Sequence, residues 1–205
     1  MRIDTFMRTL LISLILTGTA AVPTVDAQEM SPQQLFDAGR YDEAIQAVPP
    51  DAGDDLKYIA AQAHLRMQRQ DEAKATFQQL GGGDEGNAWT FVGRSAVAQA
   101  DGDVAGSEAA ARRAVEINGG LAEAHYQLGQ ALYAADNWGA AAEAFTQAAE
   151  SAPRHAYAHY YAGQAYYRAK RVDRMAQHFE YFLKLAPRAP EAPQVSAVMR
   201  TVRGR

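Results

Sequence analysis

Small and apolar residues return along this chain at a fixed interval. The stretch AEAHYQLGQALY at 122–133 is echoed by AYAHYYAGQAYY at 156–167, thirty-four residues later. With Ala122 as position 1, the same frame extends backwards to Ala88 and Asp54 without an insertion. Position 8 then holds Ala61, Ser95, Gly129 and Gly163, and position 20 holds Ala73, Ser107, Ala141 and Met175. Position 24 holds Phe77, Ala111, Phe145 and Phe179, position 27 Leu80, Ala114, Ala148 and Phe182, and position 32 Glu85, Gly119, Pro153 and Pro187.

This spacing predicts a helix, a short turn and a second, antiparallel helix in every unit. Small residues at 8 and 20 let the two helices approach closely, and a bulky residue at 24 fills the space beside them. Pro or Gly at 32 stops the second helix. The turn-like ADGDV and ADNW place Asp103 and Asn137 as candidate N-caps.

The predicted units are 54–87, 88–121, 122–155 and 156–189. Upstream, RYDEAIQAV matches the second-helix pattern with Ala44 at position 20, so 31–53 reads as a further unit with a short first helix. Downstream, Val195, Val198, Met199 and Val202 share one helical face, which predicts a capping helix within 190–203 over the last apolar surface. The run GGGDEG at 81–86 reads as a linker and as the weakest joint, because glycine costs a helix about 1 kcal/mol relative to alanine.

These units resemble the tetratricopeptide repeat family, whose 34-residue helix–turn–helix signature has a small residue at 8, Ala at 20, an aromatic at 24 and Pro at 32. The likeness is strongest at 122–155, through Leu128, Gly129, Ala141, Phe145, Ala148 and Pro153. Unit 88–121 is degenerate, with Ala111 and Gly119 where an aromatic and a proline are expected. The resemblance implies an all-α fold, a right-handed α-solenoid of antiparallel helix pairs with a C-terminal capping helix. Its stability comes from nearest-neighbour stacking.

Composition agrees: much of the 48% hydrophobic content is alanine, which favours helices over sheets. The net charge of −4, with no long basic run, speaks against a nucleic-acid partner, and the lack of cysteine excludes disulfides and thiolate metal sites. The first residues form a different segment. Arg2 and Arg8 precede an apolar stretch from Leu10 to Leu16, and VDA precedes Gln28. Residues 1–27 therefore read as a signal peptide cleaved after Ala27, the chain as exported to a bacterial periplasm, and the mature protein as having no stable membrane span. Retention of this segment as an anchor is the competing reading, against which stands an apolar stretch well short of the ~20 residues that span a bilayer.

No catalytic constellation stands out: there is no G-x-S-x-G, H-E-x-x-H or phosphate loop, so the expectation is a non-enzyme without cofactor. His155 and His159 have the i, i+4 spacing of a metal pair, but His159 shares position 4 with His125, which favours packing roles and no metal site. Asp54/Asp55 and Asp71/Glu72 read as solvated helix starts, and Arg200, Arg203 and Arg205 as the solvated side of the cap.

In the family the first helices line a concave face through positions 2, 5, 6, 9, 12 and 13. The resemblance then implies a groove made of Tyr58, Gln62, Arg66, Trp89, Tyr126, Gln130, Tyr133, Tyr157, Tyr160, Tyr161, Gln164, Tyr167 and Arg168. Tyr and Trp combine apolar area with a polar tip, and Gln offers a donor and an acceptor to a peptide main chain. The Lys/Asn set with which some members grip a C-terminal carboxylate has no counterpart, since Gln stands for Asn. The expected function is a protein- or peptide-binding scaffold of the cell envelope. Recognition of a glycan such as peptidoglycan is the alternative.

Overall fold

The computed structural model describes residues 30–204; the expected signal peptide, residue Arg205 and the side chain of Arg203 fall outside that description. Every regular element among the described residues is a helix, in the order α1 (Pro32–Asp37), α2 (Tyr41–Gln46), α3 (Asp54–Arg66), α4 (Gln70–Gly81), α5 (Ala88–Ala100), α6 (Val104–Ile117), α7 (Ala122–Ala134), α8 (Trp138–Ser151), α9 (Ala156–Arg168), α10 (Val172–Leu185) and α11 (Ala192–Arg203). Successive helices pair as hairpins that stack side by side, and α11 closes the end. None is long and apolar enough to cross a membrane.

The repeat frame translates directly into packing. A Cβ added to Gly129 would lie 2.6 Å from the ring of Phe145, and one added to Gly163 would collide with Phe179, so positions 8 and 24 are in direct contact across each hairpin. Ala73, Ser107, Ala141 and Met175 at position 20 are all fully buried. Ser95 donates to the Ser107 carbonyl at 2.9 Å, which satisfies the hydroxyl in the interior of the degenerate hairpin.

The hairpin turns share one backbone device. Position 15 adopts positive φ in four units, at Gln68 (60°), Gly102 (78°), Asp136 (59°) and Lys170 (59°), and Gly39 (75°) does the same in the first. That left-handed residue turns the chain back after each first helix. Asp103 caps α6 by accepting from Gly106 N–H at 2.9 Å. Asn137 stands at the N-cap of α8, but its side chain makes no capping bond, which corrects the sequence expectation there. Asp54/Asp55 and Asp71/Glu72 lie in the first turns of α3 and α4, where the helix dipole favours negative charge.

The glycine run between α4 and α5 is exposed but fastened. Thr90 Oγ1 donates to the Asp84 carbonyl at 2.6 Å, and Arg94 Nε donates to the Gly81 carbonyl at 3.0 Å. Gly93 of α5 approaches α4 so closely that a Cβ there would lie 2.6 Å from the Phe77 carbonyl oxygen.

The stack does not remain open. Phe36 of α1 meets Tyr157 of α9 edge-on at 5.2 Å, and the hydroxyls of Tyr41 and Tyr157 are 3.0 Å apart. Arg66, ending α3, donates to Glu191 at 3.0 Å just before α11. The first unit thus touches the last, and the helix pairs close into a ring.

Candidate functional site

Ring closure decides where the expected groove residues go. Tyr58, Tyr126, Tyr157 and Tyr160 are only 3%, 2%, 1% and 8% exposed, so the expectation of one open trough lined by their rings is corrected. The physical cause is curvature: bulky rings on the inner face of successive first helices meet one another and become core. Tyr58 packs on Phe77 and Trp89, and its hydroxyl accepts from Gln127 Nε2 at 2.9 Å. Tyr126 packs on Phe145, His155 and Tyr161, and its hydroxyl accepts from Gln130 at 3.0 Å. Burial raises the Tyr58 and Tyr126 hydroxyls well above their ordinary range and carries Tyr160 to about 12.

A polar knot crosses the centre of the ring. The Arg66 guanidinium lies 4.1 Å from the centre of the Tyr157 ring and pairs with Glu191, which also accepts from the Tyr157 hydroxyl at 2.9 Å.

Two clefts gather most of the remaining groove residues. The first, of about 420 Å³, lies among α3, α4, α5, α7 and α9. It holds Gln62, Arg66, Gln130 and Tyr161 from the expected set, and adds Gln70, Lys74, Gln99 and Gln127. Its two cations are already engaged, Arg66 with Glu191 and Lys74 with Asp101. The buried Gln127 Oε1 has no hydrogen-bond partner. The space exists because α5 carries Ala96 and Ala100 at positions 9 and 13, where the preceding unit carries Gln62 and Arg66. Those short side chains in the degenerate unit were the sequence signal for this cleft.

The second cleft, of about 370 Å³, lies among α7, α9, α10 and α11. It brings together Tyr133, Tyr160, Gln164, Tyr167 and Arg168 with Val195 and Val198 of the cap. Arg168 stacks on Trp138 at 4.4 Å, Tyr133 meets the same indole edge-on, and Tyr167 is 59% exposed. Trp89 joins neither cleft, being half-buried against Tyr58.

His155 and His159 diverge. His155 Nδ1 caps α9 by accepting from Ala158 N–H at 3.2 Å, while His159 Nδ1 faces His178 Nδ1 of α10 at 3.2 Å. Burial lowers all three imidazoles, His155 and His178 to about 4. Among the described residues no three His, Asp or Glu gather as a metal site.

Family models for the tetratricopeptide repeat match residues 126–191 and 55–81. The chain is a tetratricopeptide repeat protein. Solved tetratricopeptide repeat structures share its fold. TTC0263 from Thermus thermophilus is 16% identical, with a TM-score of 0.60 over 83% of this chain and 94% of that one. YrrB, described as having an unusual peptide-binding site, is 22% identical, with a TM-score of 0.51 over 78% of this chain and 81% of that one. The Arabidopsis OM64 domain is 18% identical, with a TM-score of 0.54 over 58% of this chain and 98% of that one. No curated protein matches the chain by sequence. Tetratricopeptide repeats are typical of protein-interaction scaffolds and are generally not enzymes.

Proposed function

We propose that this tetratricopeptide repeat protein is a non-enzymatic scaffold that takes an extended segment of a partner protein into the amide-lined first cleft. The observation that carries the reading is the wall of Gln62, Gln99, Gln127 and Gln130, with one buried amide oxygen left without a donor. A side-chain amide offers one acceptor and two donors, which matches the alternating N–H and C=O of an extended main chain. Because Arg66 and Lys74 are neutralised within the chain, the cleft suits main chain or neutral polar side chains better than a charged group. An envelope setting belongs to the same proposal, supported by the signal-like pattern of residues 1–27.

Two substitutions test it. Ala100→Trp plugs the cleft from an exposed position, and Gln99→Ala strips one amide from its wall. Affinity capture from envelope extracts should fall at least tenfold for Ala100→Trp and more modestly for Gln99→Ala, with melting temperature unchanged. Undiminished capture by the plugged variant would refute the reading.

One feature favours a glycan instead. At the second cleft the exposed Tyr167, with Tyr133, Trp138 and Arg168 nearby, offers ring faces of the kind that stack on sugars. Co-sedimentation with purified peptidoglycan, lost in Tyr167→Ala, would support that reading, and absence of co-sedimentation removes it.

A further inference from the structure

The hairpin that closes the ring differs from the others. Helices α1 and α2 have 6 residues each, whereas α3 to α10 have 12 to 14. Six-residue helices are far below the length that holds without tertiary support. The link to α3, AVPPDAG at 47–53, contains two consecutive prolines.

The seam also differs in chemistry from the interfaces between neighbouring helices. There, small residues interlock with phenylalanines, and tyrosine hydroxyls such as that of Tyr58 bond to glutamine amides. Here, aromatic edges and hydroxyls meet: Phe36 against Tyr157, Tyr41 against the Tyr157 hydroxyl, and Glu191 holding Tyr157 and Arg66 together. Gly39 backs onto Pro190, where an added Cβ would lie 3.1 Å from the proline ring. Phe36, Tyr41 and Arg66, which meet Tyr157 across the ring, all come from the first two units, more than ninety residues away in sequence.

We propose that the hairpin of residues 32–46 is an intramolecular clasp. It holds the face of α9 around Tyr157 that an aromatic-bearing partner segment takes when it replaces Phe36 and Tyr41, and the ring opens on that exchange. Only this last step leans on the scaffold reading, and opening itself is measurable without a partner. The occupant is specified by what sits there now: a short segment with two aromatic rings, one hydroxylated, spaced as Phe36 and Tyr41 are.

The chain has no cysteine, so two spin labels can be placed without background. Gln46→Cys and Lys184→Cys, both at exposed positions, report the distance across the seam by pulsed electron resonance. The parent chain should give one narrow distance. Phe36→Ala should add a longer, broader population. Tyr41→Phe/Glu191→Gln, which leaves Phe36 in its packing, should do so at least severalfold more than the parent. A synthetic peptide of residues 31–48, added to the parent chain, should raise the same longer population, and its Phe36→Ala/Tyr41→Ala version should not. One unchanged narrow distance in both variants, with helix content intact, overturns the clasp. A ring that opens in the variants but ignores the peptide overturns the aromatic occupant. Neither result depends on capture at the amide-lined cleft, so the two readings fail separately.

Discussion

Position 15 of each unit shows how one residue bends the whole repeat. Its left-handed conformation is at home with Gly102 but costs an L-residue about 1–2 kcal/mol, partly offset because glycine loses more entropy on folding. Lys170→Gly should therefore stabilise the protein by about 0.5–1 kcal/mol, read as a higher urea midpoint. At Tyr126 the expected change is opposite and larger. Its ring is buried between Phe145, His155 and Tyr161, so Tyr126→Ala should cost about 3–5 kcal/mol. Any loss of partner capture in that variant would then accompany a collapse of stability. The imidazoles set the response to acid. His155, His159 and His178 are held below their ordinary value of 6.5, so the unfolded chain binds protons first as the pH falls. Their stabilisation is complete above about 6.5 and is lost on the way down to about 4. Asp37 opposes this, since burial raises it to about 6 and its contribution grows as the pH falls from there toward 3.8. His64, also lowered by burial, adds to the loss, and Glu123, raised by burial, sides with Asp37. With four imidazoles against two carboxyls, urea midpoints should drop between pH 7 and pH 4.5, and His178→Gln should flatten the profile.

At the scale of elements, the hairpins divide by how much they share. The pairs from α7 to α10 interlock through Gly129, Phe145, Gly163 and Phe179, whereas α1–α2 is held by two short turns of helix and its seam. Hydrogen exchange should therefore be fastest in α1, α2 and Gly82–Gly86, and slowest in α7 to α10. Protection in α1–α2 equal to that in α8 would contradict this ordering. The hairpins were legible in the sequence because their contacts join positions 8, 20 and 24 of one unit, which the 34-residue frame displays. The fastening of the 81–86 run was less legible, because it depends on Thr90 and Arg94 reaching back from the following helix.

At the scale of the molecule, the all-α stack of helix pairs could be read from the repeat, but the closed ring could not. Closure joins Phe36, Tyr41 and Arg66 to Tyr157 and Glu191, residues with no common repeat position, and it depends on the small rotation added at each interface. For the same reason, tyrosines that a shallower curve would leave facing solvent become interior here, and the open space moves to where α5 is lined with alanine. The consequence reaches into spectroscopy. The chain's two tryptophans occupy different surroundings, Trp89 beside Tyr58 and Trp138 beneath Arg168 at the rim of the cap-side hollow. Single-tryptophan versions would make the protein its own fluorophore pair. Emission from Trp138 would answer to a guest near α11, while Trp89 would stay silent unless the inner packing itself rearranged.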